Sequence, residues 1–123
     1  VPADLPDEDV CLLSTRGRRT GRTHTIEIWY ARAADGATLY LLAGGGERAD
    51  WVRNLRAEPA VTVRIGGRTW PATARVVTDP EERGRGAHLV HAKYQPGYGG
   101  DLTRWRDSAT LVAVTVTVTV ADP

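Results

Sequence analysis

The chain of 123 residues, 41% hydrophobic and 25% charged, has the length and balance of one globular domain, which excludes a two-domain enzyme, a fibrous repeat and wholesale disorder. Sixteen basic residues against fifteen acidic ones give a net charge of +1, far from the strongly basic surface of a non-specific nucleic-acid binder, so no nucleic-acid partner is expected. The apolar runs are strand-sized and broken by Thr or Arg, short of the ~20 residues of a transmembrane segment, and no signal-peptide pattern is present, so the expected location is the cytoplasm.

Residues 1–9 form an acidic N-terminal segment with Asp4, Asp7, Glu8 and Asp9, and a single domain is expected over 10–123. Val10 to Thr15 reads as a short buried strand containing the only cysteine, Cys11, whose apolar neighbours mark a buried thiol. The connection Arg16-Gly17-Arg18-Arg19-Thr20-Gly21-Arg22 packs four arginines into seven positions and bends at its glycines. Thr23 to Arg32 is the second strand, with His24, Ile26, Ile28 and Tyr30 on one face and Thr25, Glu27, Trp29 and Ala31 on the other. Asp35-Gly36 signals a hairpin into a third strand, Thr38 to Ala43, which Gly44-Gly45-Gly46 ends.

A helical pattern runs from about Glu47 to Glu58 and stops at Pro59. Ala60 to Ile65 and Arg68 to Val77 form an antiparallel hairpin around Gly66-Gly67, with Pro71 marking an edge or a bulge. Thr78 or Asp79 caps a helix that begins with Pro80 and runs to Tyr94. A Pro/Gly loop, Gln95 to Gly100, leads to a short helix, Asp101 to Asp107, and then to a Val/Thr strand, Thr110 to Val120. Such a ladder must be paired, so the expected fold is mainly β with α: an antiparallel, nearly closed barrel of six strands with flanking helices.

Two segments suit a ligand. The turn at Gly17 to Gly21 offers backbone N–H groups, a hydroxyl and two guanidinium forks to a phosphate, though a solvated hairpin tip has the same composition. Gly44-Gly45-Gly46 before a helix lets a ligand approach backbone and a helix N-terminus, though a plain turn also uses glycine. With Trp51 and Asn54 just beyond, phosphate grip, glycine floor and aromatic wall together suit a flat ring cofactor. His88 and His91 lie three apart without a third ligand, so no metal is expected, and Ser14 and Ser108 lack a nucleophile-elbow context.

The run Leu12-Leu13-Ser14-Thr15-Arg16-Gly17-Arg18-Arg19-Thr20-Gly21-Arg22, then His24-Thr25-Ile26-Glu27-Ile28-Trp29-Tyr30, resembles the deazaflavin-dependent nitroreductase family of split-barrel flavin-fold proteins. So does Trp51-Val52-Arg53-Asn54-Leu55-Arg56-Ala57-Glu58-Pro59-Ala60-Val61-Thr62-Val63. The resemblance implies a six-stranded split β-barrel that binds coenzyme F-420, a deazaflavin with a phosphate and an oligoglutamate tail, and passes a hydride between it and a small unsaturated, quinone or nitro-bearing acceptor. It places coenzyme contacts on Arg18, Arg19, Thr20 and Gly21, on the strand residues His24, Ile26 and Glu27, on Gly44, Gly45 and Gly46, and on Trp51 and Asn54. Substrate-side candidates are Tyr94, Tyr98 and Trp29, with no covalent catalytic residue assigned. The chain departs from the family pattern at Gly44 to Gly46, where a lysine is common, and at Asp50 and Glu27, where prolines are common. The rival readings are an FMN-binding oxidoreductase of the pyridoxamine-phosphate-oxidase type and a non-catalytic coenzyme carrier or sensor. The expected partner is a small-molecule substrate, and a homodimer is compatible with the sequence.

Overall fold

Burial alternates residue by residue along Val61, Val63 and Ile65 and along Ala72 and Ala74, the pattern of strands that pack one face on a core. In the computed structural model, which describes residues 5–117, these segments belong to one antiparallel sheet. Its strands are β1 (Cys11–Arg16), β2 (Thr23–Ile28), β3 (Ala31–Arg32), β4 (Thr38–Ala43), β5 (Ala60–Ile65), β6 (Arg68–Val76) and β7 (Thr110–Val116). The helices are α1 (Asp50–Ala57), α2 (Pro80–Tyr94) and α3 (Thr103–Ser108), with single 3-10 turns at Gly46–Arg48 and Gln95–Gly97. The part of the expected Val/Thr strand beyond residue 117 lies outside the described residues.

Strand order is β2-β1-β5-β6-β7-β4-β3. The two edge strands are therefore consecutive in sequence, joined only by Trp29 and Tyr30. A flat sheet of seven strands would hold its edges about 29 Å apart. Three peptide steps reach at most about 11 Å, so the sheet must curl until its edges nearly meet. This corrects the expected count of six strands to seven: the run Thr23 to Arg32 is broken at Trp29-Tyr30, and its halves serve opposite edges. The split of the barrel is that two-residue crossing.

The curled sheet has an apolar inside and a second apolar layer under α2. β4 is buried throughout, sending Leu39, Leu41 and Ala43 into the barrel while Tyr40 and Leu42 face α2. β7 does the same with Val112, Val114 and Val116 against Leu111 and Ala113. β7 lies between β6 and β4, so the Val/Thr ladder is paired on both sides. Pro71 marks neither an edge nor a bulge. β6 is interior, and the carbonyl of Pro71 accepts from Thr117 N (2.9 Å), so its missing N–H falls just past the Ala72–Val116 pair, at the limit of the described residues. Residues 5–9 pack onto the domain: Leu5 is fully buried in the barrel core. Cys11 is buried too, and desolvation pushes its thiol up to about 12.

Asp79 caps α2 by accepting from Glu82 N (2.9 Å), and Pro80 takes the first position, where its missing N–H costs nothing. The helix lies so close to the sheet at Gly86 that a Cβ there would sit 2.6 Å from Leu111 Cδ2 and 2.9 Å from Tyr40 Cδ1. Both neighbours are buried core side chains that would have to shift. Gly86→Ala is therefore expected to destabilise the fold by about 1–3 kcal/mol, the usual cost of overpacking. Urea unfolding of the variant checks it, and a rise in midpoint would contradict this packing.

Candidate functional site

The β1–β2 turn is closed by Gly17 N donating to Arg22 O (2.7 Å) and Gly21 N to Gly17 O (2.8 Å), while Thr20 Oγ1 accepts from Arg22 N (3.2 Å). Gly21 holds φ +73°, a conformation that a side chain would strain. The turn, the start of β2 and one face of α1 enclose a cavity of ≈ 230 Å³ lined by Gly17, Arg18, Arg19, Thr20, His24, Asp50 and Asn54. Gly17 is the floor: a Cβ there would stand 2.9 Å from His24 Nε2 and 3.0 Å from Thr20 Oγ1.

Arg18 is pre-positioned in this cavity. Asn54, 3% exposed, accepts at Oδ1 from Arg18 N (3.2 Å) and Arg18 Nη1 (2.9 Å), and donates from Nδ2 to Thr15 Oγ1 (3.2 Å). A second guanidinium nitrogen lies 3.4 Å from Asp50 Oδ1. One buried amide thus fixes the arginine against β1, which lowers the entropy lost when an anion is gripped. The first turn of α1 has no side-chain cap, so its free N–H groups add positive potential on the same side.

At the far end of β2 the chemistry changes from cationic to aromatic. Trp29 stacks face to face on Tyr94 (centroids 4.3 Å, interplanar 4°) and meets Tyr98 and Trp105 edge-on at 5.9 and 5.8 Å. Trp29, Tyr98, Leu102 and Trp105, with Asp101, Arg104 and Ser108, line a cavity of ≈ 620 Å³. Gly44 lies beside it, with space for a Cβ only 3.6 Å from Trp105 Nε1. The glycine loop thus runs from the aromatic cavity to α1, which lines the cationic one.

Of the residues singled out in the sequence, Arg18, Arg19, Thr20, His24 and Asn54 line one cavity, with Gly21 shaping its turn. Trp29 and Tyr98 line the other. Ile26 and Trp51 instead pack against the barrel core, and Glu27 is exposed on the opposite side of β2 from His24. Tyr94 has its hydroxyl engaged: it accepts from Tyr30 N (3.0 Å), and its single proton is shared between the carbonyls of Asp9 (2.6 Å) and Tyr30 (3.0 Å). Burial pushes that hydroxyl up to about 12. Sequence reasoning overlooked Trp105, whose only signal was a tryptophan in a short helix after a Pro/Gly loop. It also gave no role to Gly17 as a floor, since a close approach across a turn leaves no periodic mark.

The F420H(2)-dependent quinone reductase family model matches residues 1–120. An F420H(2)-dependent quinone reductase of Mycobacterium tuberculosis is 34% identical over 73 residues, which is 57% of this chain and 49% of that protein. The chain therefore spans about half the length of the curated relatives it matches. Among solved structures, an F420-H2 dependent reductase aligns with a TM-score of 0.69 at 19% identity, covering 89% of this chain and 96% of that one. The heme storage protein HutZ of Vibrio cholerae aligns equally well (TM-score 0.69, 13% identity, 90% and 83% covered), so the shape by itself marks the split-barrel fold and no particular ligand. Among the described residues no helix is long and apolar enough to cross a membrane.

Proposed function

The chain belongs to the F420H(2)-dependent quinone reductase family, and from that premise we propose that it binds coenzyme F-420 and reduces a quinone-type acceptor, with the phosphate at Arg18 and the acceptor against Trp29. The observation that carries this reading is the placement of a cationic cavity and an aromatic cavity at the two ends of one strand. His24 lines the first and Trp29 the second. Five residues of extended chain separate them by about 17 Å. A coenzyme anchored by its phosphate at the first cavity would extend its planar ring along this length toward an acceptor held in the second.

The residues fit the coenzyme. A fixed guanidinium, the Thr20 hydroxyl and turn backbone suit a phosphate, and the glycine loop lets a ring lie close to backbone. When bound, the reduced deazaflavin supplies a hydride, which the quinone takes up together with one proton from water to become the hydroquinone. The protein's work is to bind and orient. Arg18 and Thr20 anchor one end; Trp29, Tyr98 and Trp105 hold the acceptor ring in an orientation from which transfer needs little further ordering. Tyr98, 48% exposed at the cavity, presents a phenol able to donate toward the acceptor oxygen as charge develops there.

The test is a titration of the purified protein with F-420 and, separately, FMN, followed by mixing the reduced coenzyme complex with a soluble quinone. Binding of F-420 in preference to FMN, and its quinone-dependent oxidation, are expected. Preference for FMN overturns the cofactor assignment, and binding without turnover of any quinone leaves a carrier.

Asp50 adds a distinguishing prediction. Its carboxylate lies against Arg18 at the mouth of the cavity and opposes any incoming anion. Asp50→Asn is expected to tighten coenzyme binding about two- to fivefold, the modest size reflecting a side chain that is 86% exposed. The gain should shrink in high salt. Weaker binding in the variant would mean that Asp50 serves only to hold Arg18 in place.

A further inference from the structure

Lys93 is the only lysine among sixteen basic residues, and it does not line either cavity described above. Its ammonium donates to Glu8 O (2.6 Å) and Tyr30 O (2.9 Å), pairs with Asp7 Oδ1 (2.9 Å) and lies 3.9 Å from the centroid of the Tyr30 ring. Three donors on a compact charge can meet three oxygens in different directions, which a planar guanidinium cannot do, so an arginine would not reproduce this contact. Tyr94, the next residue, holds the same point through Tyr30 N and O. The Tyr30 hydroxyl donates to Pro6 O (2.6 Å) and accepts from Glu8 N (2.7 Å). Every polar atom of this fully buried residue is therefore gripped by residues 6–8 or by the last turn of α2.

Tyr30 is half of the two-residue crossing that joins the barrel edges, and the other half is Trp29, the wall of the aromatic cavity. Trp29 stacks on Tyr94, so its ring rests on the residue that follows Lys93 and is joined by one peptide bond to the Tyr30 that Lys93 holds. We propose that Lys93 is a positioning residue: by tying the Tyr30 carbonyl to the Asp7-Glu8 segment it fixes the barrel crossing and so the Trp29 ring against which the acceptor lies. The consequence for turnover rests on the quinone reductase reading above; the consequence for Trp29 does not.

The experiment compares Lys93→Met, Lys93→Arg and Val90→Ala, the last being a buried core change on the same helix that perturbs packing alone. The first readout needs no coenzyme: the near-ultraviolet circular dichroism assigned to Trp29 by difference from Trp29→Phe, at a temperature where each variant is folded by far-ultraviolet signal. Lys93→Met is expected to lose that band, Lys93→Arg to lose much of it, and Val90→Ala to keep it even at a comparable loss of melting temperature. The second readout is quinone reduction by reduced F-420, in which Lys93→Met should lower kcat about tenfold or more with KM for the coenzyme unchanged, as misplacement of an orienting wall does. If Lys93→Met does not fold, Lys93→Arg decides. An unchanged Trp29 band in a folded Lys93 variant overturns the proposal whatever the activity. Absence of quinone reduction in the unmodified protein refutes the functional reading instead, and the Trp29 band then decides the positioning role alone.

Discussion

Arg18→Ala is expected to raise the dissociation constant of reduced coenzyme F-420 by about ten- to a hundredfold. The side chain is only 23% exposed, already aimed by Asn54, and its fork can meet a phosphate with charge-assisted hydrogen bonds worth roughly 1.5–3 kcal/mol. At 1.4 kcal/mol per factor of ten, that range gives the stated loss. Arg19 lines the same cavity but stands in solvent, where an ion pair is worth less than about 1 kcal/mol, so Arg19→Ala should cost about fivefold at most. The comparison is clean because folding should survive. In Arg18→Ala the Asn54 carbonyl still accepts from the backbone N of residue 18, so no buried oxygen is stranded. Arg18→Lys keeps the charge but loses the fork and should fall between the two. Calorimetric or fluorescence titration at two salt concentrations measures all three; equal affinities for Arg18→Ala and the unmodified protein would move the anion site elsewhere.

What could be read from the sequence, and what could not, follows from the range of the interactions. The β5–β6 hairpin, the capped start of α2 at Asp79 and the grouping of Arg18, Arg19 and Thr20 are set by residues a few positions apart, and each is visible as a local pattern. The break at Trp29-Tyr30 is not. It exists because β2 and β3 pair with different strands at opposite edges, a property of the whole sheet that alternation within the run cannot reveal. Leu5 is a similar case: four acidic residues around it marked the segment only as acidic, yet this leucine is buried in the barrel core. The partnership of Asn54 with Thr15 spans 39 residues and depends on α1 crossing β1, so nothing local marks Asn54 as the residue that aims Arg18. Tyr94 and Tyr98 looked equivalent in the sequence, two phenols flanking a Pro-Gly bend, and the structure separates them.

That separation gives the second large effect. Tyr94→Phe keeps the ring on Trp29 but removes the oxygen that accepts from Tyr30 N and the proton given to the Asp9 and Tyr30 carbonyls. An unpaired buried donor costs about 1–3 kcal/mol, so the variant should unfold at a distinctly lower denaturant concentration. The pH dependence identifies the group. Burial holds the folded-state hydroxyl near 12 against an ordinary value of 10.0, so its protonated form stabilises the fold fully below pH 10. That contribution fades as the pH rises from 10 toward 12, and Tyr94→Phe should lack this part of the alkaline loss. Tyr98→Phe should behave in the opposite way. Its exposed side chain supports little of the fold, so stability should hardly change, while turnover falls about tenfold if the phenol donates to the acceptor. The loss should be smaller than the hundred- to thousandfold of a water-excluded oxyanion donor, since water at a half-open cavity can replace part of the lost bond. Single-turnover oxidation of the reduced coenzyme, set beside urea unfolding for each variant, tests the division. Equal rates for Tyr98→Phe and the unmodified protein would leave ring orientation by Trp29 and Trp105 as the only device acting on the acceptor.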